Sequence, residues 1–130
     1  MPLSFTVKTR SRTDMVDITP SVQKELSKSD IADGVCVVYI PHTTAGVTIN
    51  EGADPAVCDD IMGKLDQLVP KDAGYRHAEG NADSHIKASI VGSSVTVLVE
   101  KGRLVFGTWQ KMFLCEFDGP RSRKVYVKVL

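Results

Sequence analysis

Apolar and polar positions along the chain change period several times, and each change marks an element. Over residues 4–10, SFTVKTR, the side chains Phe5, Val7 and Thr9 alternate with polar neighbours, the period of an edge or half-buried strand. DMVDI, 14–18, predicts a second strand. Thr19 and Pro20 form an N-cap and first-turn pair that opens a helix to about Ser29, with Val22, Leu26 and Ile31 on its apolar side. GVCVVYIP, 34–41, is apolar throughout and rich in β-branched residues, which predicts a central strand buried on both faces and ended by Pro41. AGVTINE, 45–51, returns to strand alternation.

Asp54 and Pro55 repeat the cap-plus-proline signal. Behind them Val57, Ile61, Leu65 and Leu68 fall on one helical face, and Pro70 ends the run. Residues 71–81 predict a polar loop, and Ala82–Val91 a shorter helix stopping near Gly92. SVTVLVE and RLVFGTW flank Lys101-Gly102, a two-residue hairpin turn. MFLCEF and KVYVKVL enclose DGPRSR, 118–123, a turn or short loop holding two arginines. The sum is a single α+β domain over 1–130, mainly antiparallel sheet or sandwich, with two or three helices packed on one side.

Composition narrows the function classes. At 130 residues and 42% hydrophobic the chain has material for one core. The 16 basic and 16 acidic residues cancel, so no global field draws nucleic acid or an anionic membrane. No apolar run approaches the roughly 20 residues that span a bilayer. The opening MPLSFTVKTRSR lacks the apolar stretch of a signal peptide. Cys36, Cys58 and Cys115 are odd in number, far apart and without a CxxC pair, which predicts reduced thiols and a cytoplasmic location.

Candidate chemistry concentrates in HAEGNADSH, 77–85, a polar segment in a valine-rich chain. It holds His77 and His85, and the third histidine, His42, follows the predicted buried strand. Brought together, three imidazoles suit Zn²⁺ or a similar ion with an open position; unrelated surface histidines are the plainer reading of the same spacing. Glu51, Glu79 and Asp83 are candidate bases or ligand-orienting groups, and Asp83 also fits a helix cap. Asn81, Ser84, Lys87, Arg121 and Arg123 are candidate phosphate contacts, although no P-loop pattern occurs. Arg121 and Arg123, two apart, would share a face of an extended segment, and a solvated charged edge is the alternative. Trp109 and Gln110 could wall a flat ligand, Thr44 could bind ligand or brace its loop, and Ser84 beside His85 has the wrong geometry for a nucleophile pair.

Five segments taken together resemble the YjbQ family, described as secondary thiamine-phosphate synthases: HTTAGVTINE (42–51), DP at the next helix start, HxxGNADSHxK (77–87), GxLxxGTWQ (102–110) and ExDGPRxR (116–123). The resemblance spans nearly the whole chain, in order. It implies a small α+β domain that assembles as a homotrimer, with a pocket for a small phosphorylated metabolite. By position it implies His42, His77 and His85, with Glu51 nearby, as metal-binding or acid–base groups, and Asn81, Ser84, Lys87, Trp109, Gln110 and Arg121 as ligand contacts. The activity implied joins a pyrimidine-methyl diphosphate to a thiazole phosphate. A diphosphate leaving group calls for Mg²⁺ or Lys/Arg, whereas three imidazoles suit Zn²⁺ and a hydrolase or phosphoesterase. A metal- or metabolite-binding trimer without turnover is the non-enzymatic alternative.

Overall fold

In the computed structural model, which describes residues 3–130, the chain runs β1 (Leu3–Lys8), β2 (Asp14–Asp17), α1 (Thr19–Leu26), β3 (Gly34–Tyr39), β4 (Ala45–Glu51), α2 (Pro55–Leu68), α3 (Ala82–Val91), β5 (Ser94–Glu100), β6 (Arg103–Leu104), β7 (Gln110–Glu116) and β8 (Ser122–Val129). Met1 and Pro2 of the opening segment lie outside the described residues. Every strand pair is antiparallel. One sheet has the order β1-β8-β3-β5-β6, the other β2-β7-β4. Between them lies a core built from Val38, Val97, Val125 and Val127 of the first sheet and Val47, Met112 and Leu114 of the second.

The strand buried on both faces is not the one the sequence pattern selects. In β3, Cys36 and Val38 point into the core, while Val35 and Val37 are half-buried and Tyr39 is exposed on the outer face. The two-sided strand is β7, where every residue from Met112 to Phe117 is buried. Met112 and Leu114 meet the inter-sheet core, and Cys115, with Phe117 just beyond the strand, joins Ala88, Met62 and Leu65 beneath α2 and α3. A run of β-branched residues reports strand propensity; what covers each face is decided by layers elsewhere in the chain.

Helix boundaries follow local hydrogen bonding. Thr19 does not cap α1, because its Oγ1 accepts the N–H of Met112 on β7. Asp17 supplies the acceptor for Thr19 N–H instead, at 2.9 Å. The helix stops at Leu26, short of Ser29, and buries Val22 and Leu26. Its Gln23 ties it to the β5–β6 hairpin by donating to the carbonyl of Gly102 and accepting from Leu104 N–H. Asp54 caps α2 as expected, accepting from Ala56 N–H at 3.0 Å. The apolar stripe of α2 is only partly covered: no residue of the helix is fully buried, and Leu68 faces solvent.

Lys101 and Gly102 both have positive φ, 53° and 73°, the signature of a type I′ hairpin turn. The strand after it is shorter than RLVFGTW, since β6 ends at Leu104. DGPRSR forms the short loop between the ends of β7 and β8. β7 and β8 lie in different sheets, and this segment carries the chain across. Among the described residues no helix is long and apolar enough to cross a membrane.

Candidate functional site

β3 ends beneath Ile40, and Pro41 turns the chain out of the sheet. His42 and Thr43 therefore stand on the surface between two clefts. One, of about 360 Å³, is lined by His42, Thr43, His85, Ser89 and Ser93 among others. The second, of about 440 Å³, is lined by Tyr39, Pro41, His42, Thr43, Thr44, Arg121 and Arg123. No carboxylate lines either cleft.

His42 is anchored through its ring. The backbone N–H of Lys124 on β8 donates to His42 Nε2 at 2.8 Å. Burial lowers the pKa of this imidazole below its usual value, and the positive charge of Arg123 adds to the effect against an opposing contribution from Glu116. His85 faces the first cleft from α3, and the exposed His77 ring meets it edge-on, with ring centroids 5.1 Å apart. His77 Nε2 lies 3.7 Å from Glu79 Oε2. The structure thus brings His42, His77 and His85 to one region.

It does not assemble them as a metal centre. Among the described residues no group of three or more His, Cys, Asp or Glu side chains is arranged to hold an ion. The His42 lone pair already accepts the Lys124 N–H, so the donor set does not fit a three-imidazole ion in this arrangement.

Glu51 lies far from these rings. It closes β4, whose six steps from Ala45 carry it roughly 20 Å away along the strand. Glu51 is therefore not beside His42, where the resemblance to the family sets it. Glu51 instead pairs in register with Gln110, and Gly52 N–H donates to the carbonyl of Trp109. Trp109 is 63% exposed, and Gln110 folds back so that its Oε1 accepts Gly107 N–H. Glu51, Trp109 and Gln110 form a group at the opposite end of the three-stranded sheet.

Several expected ligand contacts are internal braces. Asp83 is a fully buried acid rather than a solvated cap. It binds both nitrogens of Arg12, at 2.9 and 3.3 Å, and Lys87 Nζ at 2.9 Å. Lys87 is itself buried and also reaches Asp66 on α2 at 2.6 Å. Ser84 is buried and donates to the carbonyl of Phe117. Asn81 Nδ2 donates to Asp118 Oδ2 at 2.8 Å, while its buried Oδ1 has no hydrogen-bond partner among the described residues. Thr44 is buried, with its Oγ1 accepting from Arg123 at 2.8 Å.

Arg121 and Arg123 part company. Arg121 is exposed, with Asp118 as its partner at 3.2 Å. Arg123 is buried, and its guanidinium is bound by Glu116. Glu116, fully buried, also accepts from Thr9 Oγ1 and from the N–H groups of Phe117 and Asp118. This pair holds the His42–Thr44 turn from below. Three residues of these networks, Arg12, Glu116 and Asp66, are not among the candidates that the sequence offers. For Glu116 a signal existed, an acid inside an apolar run; Arg12 and Asp66 sit in ordinary charged surroundings with none.

Fold and site together define a class: a small α+β sandwich with a surface crevice of histidine, hydroxyl and arginine side chains. Residues 3–130 match the family described as UPF0047 protein YjbQ-like, and the chain belongs to that family. It is 49% identical over 130 residues to a UPF0047 protein of Methanocaldococcus jannaschii, covering 100% of this chain and 94% of that one. It is 48% identical over 125 residues to the UPF0047 protein YugU of Bacillus subtilis, with 95% of each covered. A crystal structure of a YjbQ/UPF0047 family protein from Clostridium acetobutylicum superposes with a TM-score of 0.96 at 49% identity, covering 98% of this chain and 99% of that one. A conserved hypothetical protein of Thermus thermophilus superposes with a TM-score of 0.92 at 43% identity, covering 98% and 99%.

Proposed function

We propose that the protein is an enzyme acting on a small phosphorylated metabolite in the crevice around His42, with the transfer implied by its resemblance to secondary thiamine-phosphate synthases. The observation that carries the reading is the pair of clefts meeting at His42–Thr43, lined by His85, Arg121 and hydroxyls and by no carboxylate. Such a lining attracts anions. Arg121, exposed on the second cleft, would exchange its Asp118 partner for a phosphate, whose oxygens its planar fork can bind in pairs. In the transfer, the bond from the pyrimidine methylene to diphosphate breaks and a bond to the thiazole nitrogen forms. Charge builds on the departing diphosphate, where Arg121 and the His42 N–H would stabilise it. Mg²⁺ would arrive with the phosphates, since it favours oxygen ligands.

We propose further that the protein assembles as a homotrimer. The outer face of the five-stranded sheet exposes Tyr39 and Leu98 and half-exposes Val35 and Val37, an apolar surface suited to a second copy.

The test is thiamine phosphate formation from the two substrates with Mg²⁺, followed by fluorescence after oxidation. Wild type should exceed the protein-free rate, and His42→Ala and Arg121→Ala should each lose about tenfold or more. A wild-type rate equal to the blank refutes the transfer. Release of inorganic phosphate from phosphate esters, lost in the same variants, would assign hydrolysis to the site.

A further inference from the structure

The hydrogen bond at His42 settles more than ring orientation. A neutral imidazole has one lone pair in its plane and one N–H. Nε2 of His42 accepts the Lys124 N–H at 2.8 Å, so the ring proton sits on Nδ1. The donor belongs to the main chain of β8, held between β1 and β3. It cannot turn round to accept. The opposite tautomer would set two N–H groups against each other and leave a partly buried donor without a partner.

The surroundings of the ring agree in sign. The clefts on either side offer His85, Thr43, Ser89, Ser93 and Arg121, all able to donate, and no carboxylate. Glu116 and Asp118, the acids nearest in sequence to the arginines, are engaged by Arg123 and Arg121. We infer that His42 meets its ligand as a fixed Nδ1–H donor, and that the group it meets is an anionic oxygen of the phosphate class rather than a cation or metal ion. The ligand half of this inference rests on the anion-binding reading of the crevice; the state of the ring does not.

Long-range ¹H–¹⁵N correlation on histidine-labelled protein reads each ring nitrogen directly. At neutral pH the His42 ring should show a bare Nε2 and a protonated Nδ1. Inorganic phosphate should shift its Nδ1 resonance, and Zn²⁺ should leave Nε2 unshifted. Two variants separate the nitrogens. The amide of His42→Asn places a donor near the Nδ1 position, whereas that of His42→Gln reaches only toward Nε2. Both must retain a dispersed amide spectrum. Phosphate should bind the Asn variant within a few-fold of wild type and the Gln variant about tenfold more weakly. A proton on Nε2, or a Zn²⁺-induced shift of Nε2, overturns the inference. A bare Nε2 with no response to phosphate overturns the ligand class and, with it, the anion-binding reading of the crevice.

Discussion

Replacing Asp83 by asparagine keeps the shape of the side chain and removes its charge. The structure sets the size of the effect. Asp83 has no exposed side-chain surface, and Lys87, its partner at 2.9 Å, is only 1% exposed. In Asp83→Asn the Lys87 ammonium stays buried with Asp66 alone, a residue whose side chain is 55% exposed, and Arg12 loses its anionic partner on α3. Breaking a buried pair from one side costs about 3–5 kcal/mol, a large share of a typical domain stability of roughly 5–15 kcal/mol. With a urea slope of about 2 kcal/mol per molar, the unfolding midpoint falls by roughly 2 M. Protein concentration is held fixed, because assembly would shift the midpoint by mass action. Removing both charges in Asp83→Asn with Lys87→Met should cost less than the sum of the single changes. Acid should act through the same carboxyl. Burial pushes its pKa up, but the hydrogen bonds from Arg12 and Lys87 outweigh this and hold it below the usual value. The unfolded carboxyl, at about 3.9, therefore takes its proton first. The contribution of Asp83 is complete above that pH and declines as pH falls through the lower folded value, a decline that Asp83→Asn should lack. A midpoint loss under about 0.5 M, roughly 1 kcal/mol, would mean that Asp83 acts as an ordinary helix cap and that the buried network is not what holds α3.

Two further outcomes test the packing around the site. Gly46→Ala would set a Cβ 2.5 Å from the carbonyl oxygen of Gly92, which already accepts Val47 N–H and so cannot withdraw freely. It should cost about 1–3 kcal/mol in urea unfolding and shift the His85 ring resonances as α3 moves off β4; a change within a few tenths of a kcal/mol would show that this contact yields. Sedimentation equilibrium should return three times the 14.2 kDa of one chain, and Leu98→Glu on the outer sheet face should lower that mass. A monomeric wild type refutes the trimer.

What the sequence disclosed depends on how local each determinant is. The Asp54-Pro55 start of α2 and the Lys101-Gly102 turn are written in adjacent residues, and both form as read. The burial of β3 and β7 is not. Which strand is covered twice depends on where α2 and α3 settle, and no residue within GVCVVYIP or QKMFLCE reports that. The same limit separated Glu51 from His42. Six residues of extended chain are a short interval in sequence but roughly 20 Å in space, so a strand can begin at one site and end at another.

The arginines show where more could have been read. Arg123, Val125 and Val127 alternate along β8, and all three are buried on one face. Had the period been followed back from the valines, Arg123 would have been placed inside and would have required a buried acid, because an unpaired charge there is too costly to keep. Glu116, inside the apolar MFLCEF, is the acid so required. Arg121 lies two residues before Arg123 but ahead of β8, outside the alternation, and keeps its exposed position on the crevice. The ExDGPRxR segment thus divides its labour: Glu116 and Arg123 brace the turn that carries His42, and Arg121 stays exposed with Asp118 as its partner. Conservative change should therefore have opposite consequences at the two positions. Lysine at 121 keeps the exposed charge that the proposed anion site requires, while lysine at 123 gives up the fork that binds Glu116 and Thr44 together and loosens the support of His42.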